Sequence, residues 1–268
     1  MFDLPDHIIT RLRDGALIPY LGTGVLAQTE AKVPLSYEAL AAFLGSKVAL
    51  PRRARGNAWS AAQYIEGQRH RRTLDALMAE AFAAPVPPTA LHRFLATLNL
   101  PMIVDTWYDG AMRTALQDET GWGEIQGINR AGIGEARWYR AYDPQGAAAP
   151  IEAAEGWRTL LYKPHGAVTP SHNFLIADAD YVEVLTEIDI QTPIPDAVKA
   201  RRTGRGFLFL GCRFHDQMLR TYARQIMKRS GGPHFAVLPE AELTPNELKF
   251  MAEQGIEVLG MQAELMAG

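Results

Sequence analysis

Short apolar runs bounded by turn signals predict buried strands at six places along the chain. These runs cover residues 16–21, 101–106, 159–163, 206–211, 234–238 and 256–259. A run of four to eight apolar residues that ends in glycine or a polar turn is typical of a strand covered on both faces. Residues 181–185 alternate with period two and are predicted as a further extended element.

Apolar residues at helical spacing predict helices between and after these strands. A helix is expected soon after the turn at residues 22–24, and the predicted helices cover residues 37–44, 59–68, 73–83, 89–98, 111–117, 216–228 and 244–254. Strands that alternate with helices indicate an α/β fold: a doubly wound, Rossmann-like parallel sheet with helices on both faces. In such sheets, ligands bind beyond the carboxyl ends of the strands.

Two segments interrupt this alternation. Residues from about 36 to 98 are predicted to form a small, mostly helical insertion. The glycine-rich residues from about 121 to 156 contain candidate strands at 124–128 and 137–142, predicted as a hairpin laid against the sheet. We expect one domain over residues 1–268.

Charge and composition exclude several classes of function. The chain has 268 residues, 47% of them hydrophobic, and a formal net charge of -3, which gives no broad attraction to nucleic acid or to anionic membranes. The single cysteine, Cys212, excludes an intrachain disulfide and a cysteine-rich zinc site. Because neither a signal-like segment nor an apolar run of membrane-spanning length occurs, a cytoplasmic protein is expected.

Four turns that follow predicted strands carry the candidate chemistry. They are Leu21-Gly22-Thr23-Gly24-Val25, Asp105-Thr106-Trp107-Tyr108-Asp109, Lys163-Pro164-His165-Gly166 and Leu210-Gly211-Cys212-Arg213-Phe214-His215-Asp216. Glycine lets the backbone approach a pyrophosphate closely, although a Gly-x-Gly turn alone is as often simple turn geometry. A histidine that titrates near neutral pH can act as a base, or can merely hydrogen-bond a turn.

In their order and chemistry, these turns resemble those of the sirtuin-like (silent information regulator-like) NAD-binding domain family. The resemblance spans residues 15 to about 225 and implies a Rossmann-type site for NAD, without a metal. It assigns Gly22, Thr23 and Gly24 to the phosphates and Gly211, Cys212 and Asp216 to the adenosine half, and it counts Val25, Thr106 and Trp107 among the other cofactor-binding residues. His165 matches the family's catalytic histidine, and Asp109 or Asp105 would assist at the ribose.

The chain departs from the family pattern in two ways. Trp107 stands where the family has a catalytic asparagine, and an indole donates a hydrogen bond but cannot accept one. Trp107 would instead stack on a nicotinamide or adenine ring, or fill the nicotinamide pocket. The single Cys212 cannot build the four-cysteine zinc module of protein-deacylating sirtuins, so deacylation is not expected. The resemblance therefore implies the zinc-free, largely bacterial branch of the family.

The sequence leaves three functions open. In the first, the protein hydrolyses NAD to nicotinamide and ADP-ribose. In the second, it binds NAD or ADP-ribose without cleaving it and acts as a sensor or interaction module. In the third, it is a structural or assembly protein that binds no nucleotide. A homo-oligomer or a protein partner is expected, because α/β folds of this size commonly form symmetric assemblies.

Overall fold

The computed structural model describes residues 4–27, 29–129, 137–187, 193–238 and 243–260. Across these ranges the strands are β1 Leu17–Leu21, β2 Met102–Asp105, β3 Trp122–Gly127, β4 Tyr139–Tyr142, β5 Ala148–Ala149, β6 Thr159–Lys163, β7 Gly166–Ala167, β8 Asn173–Phe174, β9 Gly206–Leu210, β10 His234–Val237 and β11 Ile256–Leu259. Nine of these described strands form one sheet in the order β11-β10-β9-β1-β2-β6-β3-β4-β5, and β7 pairs with β8.

The main sheet is parallel from β11 to β3, and β4 runs antiparallel to both β3 and β5. Every residue of the neighbouring strands β1, β2, β6 and β9 is buried. Their continuous apolar runs therefore reflect a sheet covered on both faces. The prediction of a doubly wound, Rossmann-like α/β fold is confirmed.

The described helices are distributed from the N-terminal residues to the C-terminal third of the chain. They are α1 Asp6–Arg13, α2 Tyr37–Lys47, α3 Ala58–Arg69, α4 Arg71–Ala81, α5 Ala90–Thr97, α6 Ala111–Ala115, α7 Asp178–Glu187, α8 Asp196–Arg202, α9 Gln217–Met227 and α10 Pro245–Glu253. Several begin at a side-chain cap, as at Ser36 before α2 and Asp216 before α9. None of the helices in the described part of the chain is long and apolar enough to cross a membrane.

One local prediction is wrong. Residues 181–185 lie in helix α7, where Tyr181 and Val184 are buried three residues apart while Val182 is 57% exposed, so burial follows the helical period. The hairpin predicted for the glycine-rich segment occurs: β3 and β4 pair antiparallel, β3 also pairs with β6, and the hairpin extends the sheet at the edge formed by β4 and β5. Residues 130–136 of that segment lie outside the described residues. After the Gly22 turn the chain forms a single 3-10 turn, Thr23–Leu26, and the next described α-helix is α2.

The connections make β1 the turning point of the sheet. From β1 the chain passes to β2 on one side, and it later returns to place β9 on the other side of β1. Such a reversal leaves a crevice outside the carboxyl ends of the two strands on either side of it. The fold therefore places the turns after β1 and β9 at the position where doubly wound sheets bind ligands.

Candidate functional site

A pocket of about 400 Å³ lies at this crevice and is called the switch pocket below. It is lined by Tyr20, Gly22, Thr23, Ser36, Tyr37, Glu38, Thr106, Cys212, Arg213, Phe214, His215 and Leu219. The lining comes from the ends of β1, β2 and β9, from the first turn of α2 and from the start of α9. Residues far apart in the sequence thus converge on one cavity.

The glycines of the switch pocket allow two turns to pack backbone against backbone. A Cβ atom on Gly22 would lie 2.5 Å from the carbonyl oxygen of Gly211, and one on Gly24 would lie 2.8 Å from its Cα. Gly211 has φ +63°, and a Cβ there would lie 2.5 Å from the nitrogen of Val25. The Gly22 and Gly24 amides donate to the carbonyls of Leu210 and Gly211, both at 2.9 Å. These glycines therefore join the end of β1 to the end of β9. The N–H groups of Gly22 and Gly24 already have hydrogen-bond acceptors within the protein.

Polar and aromatic groups form the walls of the switch pocket. The Thr106 hydroxyl donates to the carbonyl of Leu21 at 2.8 Å, and the Cys212 thiol lies 3.2 Å from the carbonyl of Tyr20. Burial raises the pKa of the Cys212 thiol, so it stays protonated. The Tyr37 hydroxyl is buried without a hydrogen-bond partner among the described residues. The wall thus holds one hydroxyl and one thiol against backbone carbonyls, and the ring of Tyr37 lines the pocket while its hydroxyl is buried.

The neighbouring turn after β2 is held by a buried ion pair. The Lys163 ammonium, at the end of β6, lies 2.7 Å from Asp105 and donates to the carbonyl of Trp107 at 2.6 Å. Asp105 also accepts from the Trp107 amide at 3.1 Å. Burial alone would lower the pKa of Lys163, but Asp105 and Asp109 outweigh it and raise that pKa. Lys163 is therefore a charged clamp on this turn.

Asp109 completes the charge cluster beneath the turn. Its carboxylate accepts from the Ala111 amide at 2.7 Å, at the start of α6. Burial and the neighbouring Asp105 raise the pKa of Asp109 to about 6, against the opposing effect of Lys163. Asp109 is 3% exposed and does not line the switch pocket.

Trp107 fills the centre of an aromatic cluster. Its ring lies 4.9 Å from Tyr37, 5.1 Å from Tyr108 and 5.5 Å from Phe82, and its indole N–H donates to the carbonyl of Pro34 at 2.9 Å. The residue is 1% exposed. Trp107 therefore lies in a packed interior cluster and not on an open surface where a ligand ring could stack on it.

His165 is covered by two tyrosines, Tyr181 and Tyr222, which are called the aromatic wall below. Tyr181 and Tyr222 cover its imidazole, with ring centroids 5.3 and 4.7 Å away, and the Tyr181 hydroxyl lies 3.2 Å from Nδ1. Burial and the charge of Lys163 lower the pKa of His165 to about 3, so the ring is neutral at pH 7. His165 does not line the switch pocket.

Comparison with known proteins decides the family. A family model described as SIR2-like domain matches residues 101–259, which is more than half of the chain. The chain belongs to the SIR2-like domain family. The match runs from the residue before β2 to the end of β11, so the Gly22 turn lies outside it. A search of curated proteins finds no match to the sequence.

This SIR2-like chain brings some of the predicted site residues together and separates others. Gly22, Thr23, Thr106 and Cys212 line the switch pocket. Gly24, Val25 and Gly211 pack directly behind it, and Asp216 caps α9 by accepting from the Met218 amide at 2.7 Å. His165, Asp105, Asp109 and Trp107 form the buried group beside it. The catalytic and binding roles of these residues stay predictions.

Sequence reasoning gave no role to several residues of this region, of which Lys163 and Tyr37 are examples. Lys163 closes an apolar strand with a charge, a signal that a buried counter-ion lies nearby. Tyr37 follows the helix cap Ser36, which places it in the first turn of α2 and at the pocket. No group of three or more His, Cys, Asp or Glu side chains suited to hold a metal ion occurs within the ranges described.

Proposed function

We propose that this SIR2-like domain binds NAD or ADP-ribose in the switch pocket and holds it uncleaved in the conformation described. One observation carries the proposal: the cavity opens at the carboxyl ends of β1 and β9, whereas His165 is sealed behind Tyr181 and Tyr222. The family is NAD-related, and doubly wound sheets bind nucleotides at this point.

The size and lining of the switch pocket suit a nucleotide. Its volume of about 400 Å³ falls within the usual range of about 300–1,000 Å³ for small-molecule sites. Tyr20, Tyr37 and Phe214 supply aromatic surface for a base, and Thr23 and Ser36 supply hydroxyls. A mixed aromatic and polar lining is what a base joined to a ribose requires.

Tyr37 links the switch pocket to the buried residues beside it. Its hydroxyl is buried without a hydrogen-bond partner among the described residues, which costs about 1–3 kcal/mol, so a ligand that reached this atom by displacing the ring would recover free energy. Because Tyr37 also contacts Trp107 edge-on at 4.9 Å, the same side chain touches both the pocket and the sealed cluster.

Hydrolysis of NAD is the second candidate, favoured by the position of His165 in the turn after β6, which is the strand next to β2. The pKa of about 3 keeps the imidazole neutral at pH 7 but makes it a weak base, so hydrolysis would also require surroundings that raise this pKa. Asp105 and Asp109 lie in the turn after the adjacent strand β2. Cleavage would require Tyr181, Tyr222 or the Trp107 cluster to move aside first.

Calorimetric titration with NAD and with ADP-ribose tests the binding proposal. We expect both to bind, and a ligand at a hundred times its Kd should stabilise the fold by about 2.7 kcal/mol. Thr23→Arg, which fills the pocket, should abolish binding, whereas Thr10→Arg on the exposed face of α1 should not. Absence of both heat and stabilisation with either ligand would overturn the proposal and leave a structural or assembly role.

Nicotinamide release separates the two candidates. We expect none from the purified protein with saturating NAD, because His165 is sealed. Release that disappears in His165→Gln would instead establish hydrolysis, and would mean that the aromatic wall opens in solution.

A further inference from the structure

We propose that the carboxylate of Glu38 recognises the free hydroxyls of the adenosine ribose and makes the switch pocket reject a ribose that carries a 2′-phosphate. This inference rests on the proposed function and names the residue that would select NAD over NADP. It starts from the position of Glu38 in the wall of the cavity.

Glu38 reaches the pocket because the first turn of α2 forms one of its walls. Ser36 caps the helix by accepting from the Ala39 amide at 3.1 Å, and Tyr37 and Glu38 are the first two residues of the helix. All three of Ser36, Tyr37 and Glu38 line the cavity. The cap therefore fixes the backbone from which the carboxylate extends.

The surroundings of Glu38 keep its carboxylate ionised. Burial would raise its pKa, but its own backbone amide, the Ser36 hydroxyl, His215 and Arg213 together lower the pKa of Glu38 below its usual value. The Nε2 atom of His215 lies 3.8 Å from Oε1 of Glu38. The Glu38 side chain is 67% exposed, so it is accessible to a ligand that enters the pocket.

Arg213, which also lines the pocket, is paired with the buried carboxylate of Glu247. Nε and Nη2 of Arg213 lie 2.9 and 3.1 Å from the two carboxylate oxygens of Glu247, which is fully buried. Glu247 also accepts from the Phe214 amide at 2.9 Å, which anchors the pair to the pocket wall. The positive charge of Arg213 is therefore balanced within the protein.

This arrangement of charge suits a diol and opposes a phosphomonoester. A ribose with free 2′- and 3′-hydroxyls presents two donors, and an ionised carboxylate presents two acceptor oxygens. A 2′-phosphate removes one donor and adds a charge of about -1.5 to -2, which the Glu38 carboxylate repels. Doubly wound folds that discriminate between the two dinucleotides use the same chemistry, with an acid on the ribose hydroxyl or an arginine on the phosphate.

The test compares the Kd values of NAD and NADP by calorimetry at low ionic strength. We expect NAD to bind at least about tenfold more tightly than NADP in the wild-type protein, the scale of one like-charge contact. Glu38→Gln should narrow this ratio to about threefold or less, and Glu38→Arg should invert it, because the new cation pairs with the phosphate. Glu155→Gln removes an exposed charge outside the pocket and should leave the ratio unchanged.

Each outcome decides the matter. Equal binding of the two dinucleotides by the wild type, or an unchanged ratio in Glu38→Gln and Glu38→Arg, overturns the role of Glu38 while the proposed function stands. If neither NAD nor ADP-ribose binds, the proposed function itself fails. A ratio that falls equally in Glu155→Gln would show a general effect of net charge and also refute the inference.

Discussion

Two neighbouring parts of one sheet edge are built in opposite ways. At the ends of β1 and β9, the glycines at 22, 24 and 211 bring backbones together and leave a cavity of about 400 Å³ beside them. At the ends of β2 and β6, Trp107, Lys163 and His165 are each 1% exposed. The ends of β1 and β9 are called the open half of the edge. The ends of β2 and β6, which are filled by large side chains, are called the closed half.

The difference separates two tasks that share one edge of the sheet. Small residues at a switch point make room for a ligand, whereas the residues that would transfer a proton are packed into the interior. Tyr37 is the side chain common to both regions, since it lines the cavity and contacts Trp107. Under the proposed function, a ligand enters the cavity as it stands, whereas access to His165 needs Tyr181 and Tyr222 to move.

Removal of the charged clamp should break the closed half most severely. Lys163→Met leaves Asp105 and Asp109 buried without their cation, so we expect the free energy of unfolding in urea to fall by about 3–5 kcal/mol. Lys199→Met, which removes a partly exposed pair with Asp196, should cost less than about 1 kcal/mol. Equal losses in the two variants would show that the buried pair does not hold this turn.

The addition of one methyl group at Gly211 should destabilise the open half. Gly211→Ala places a Cβ 2.5 Å from the Val25 nitrogen at φ +63°, so we expect a loss of about 2–3 kcal/mol in urea unfolding and weaker NAD binding. Gly67→Ala, inside α3 with no atom within 4 Å of the new Cβ, should instead raise stability by about 0.5–1 kcal/mol. A stable Gly211→Ala variant that binds NAD normally would contradict the close packing of the two turns.

Local pattern was sufficient to predict the fold and the open half. The apolar runs at 16–21 and 206–211 end at the turns that line the pocket, and strand–helix alternation places both at the carboxyl edge of a parallel sheet. The sequence pattern therefore located the glycine turns correctly without any knowledge of tertiary contacts. Their packing against one another was not predictable, because it joins residues almost two hundred positions apart.

The closed half depends on contacts that no local pattern contains. Trp107 is buried by Tyr37 and Phe82, both from the helical insertion, and Lys163 is neutralised by Asp105, 58 residues earlier in the sequence. The wrong strand at 181–185 has a similar cause. Polar and apolar residues alternate there as in a strand, but the segment is a helix in which Tyr181 is buried against His165. Burial at these positions is set by tertiary partners.

Acid should destabilise the closed half through His165. Its folded pKa of about 3 lies below the unfolded value, so its contribution is present above about pH 6.5 and is lost as pH falls towards 3. Relative to His165→Gln, the wild type should lose about 2 kcal/mol between pH 7 and pH 5 in urea unfolding. The exposed His7→Gln should show the wild-type pH dependence. Parallel curves for wild type and His165→Gln would mean that His165 is accessible to water.

Asp109 should give a smaller effect of the opposite sign in the same cluster. Its folded pKa of about 6 lies above the unfolded value, so its contribution is full below about pH 3.8 and is lost as pH rises through 6. Relative to Asp109→Asn, which keeps an oxygen for the Ala111 amide, the wild type should lose about 1 kcal/mol between pH 5 and pH 7. The exposed Asp118→Asn serves as the matched control and should follow the wild type. A wild-type gain over that interval would show that Lys163 holds Asp109 ionised, and the closed half would then be stabilised by both carboxylates rather than by Asp105 alone.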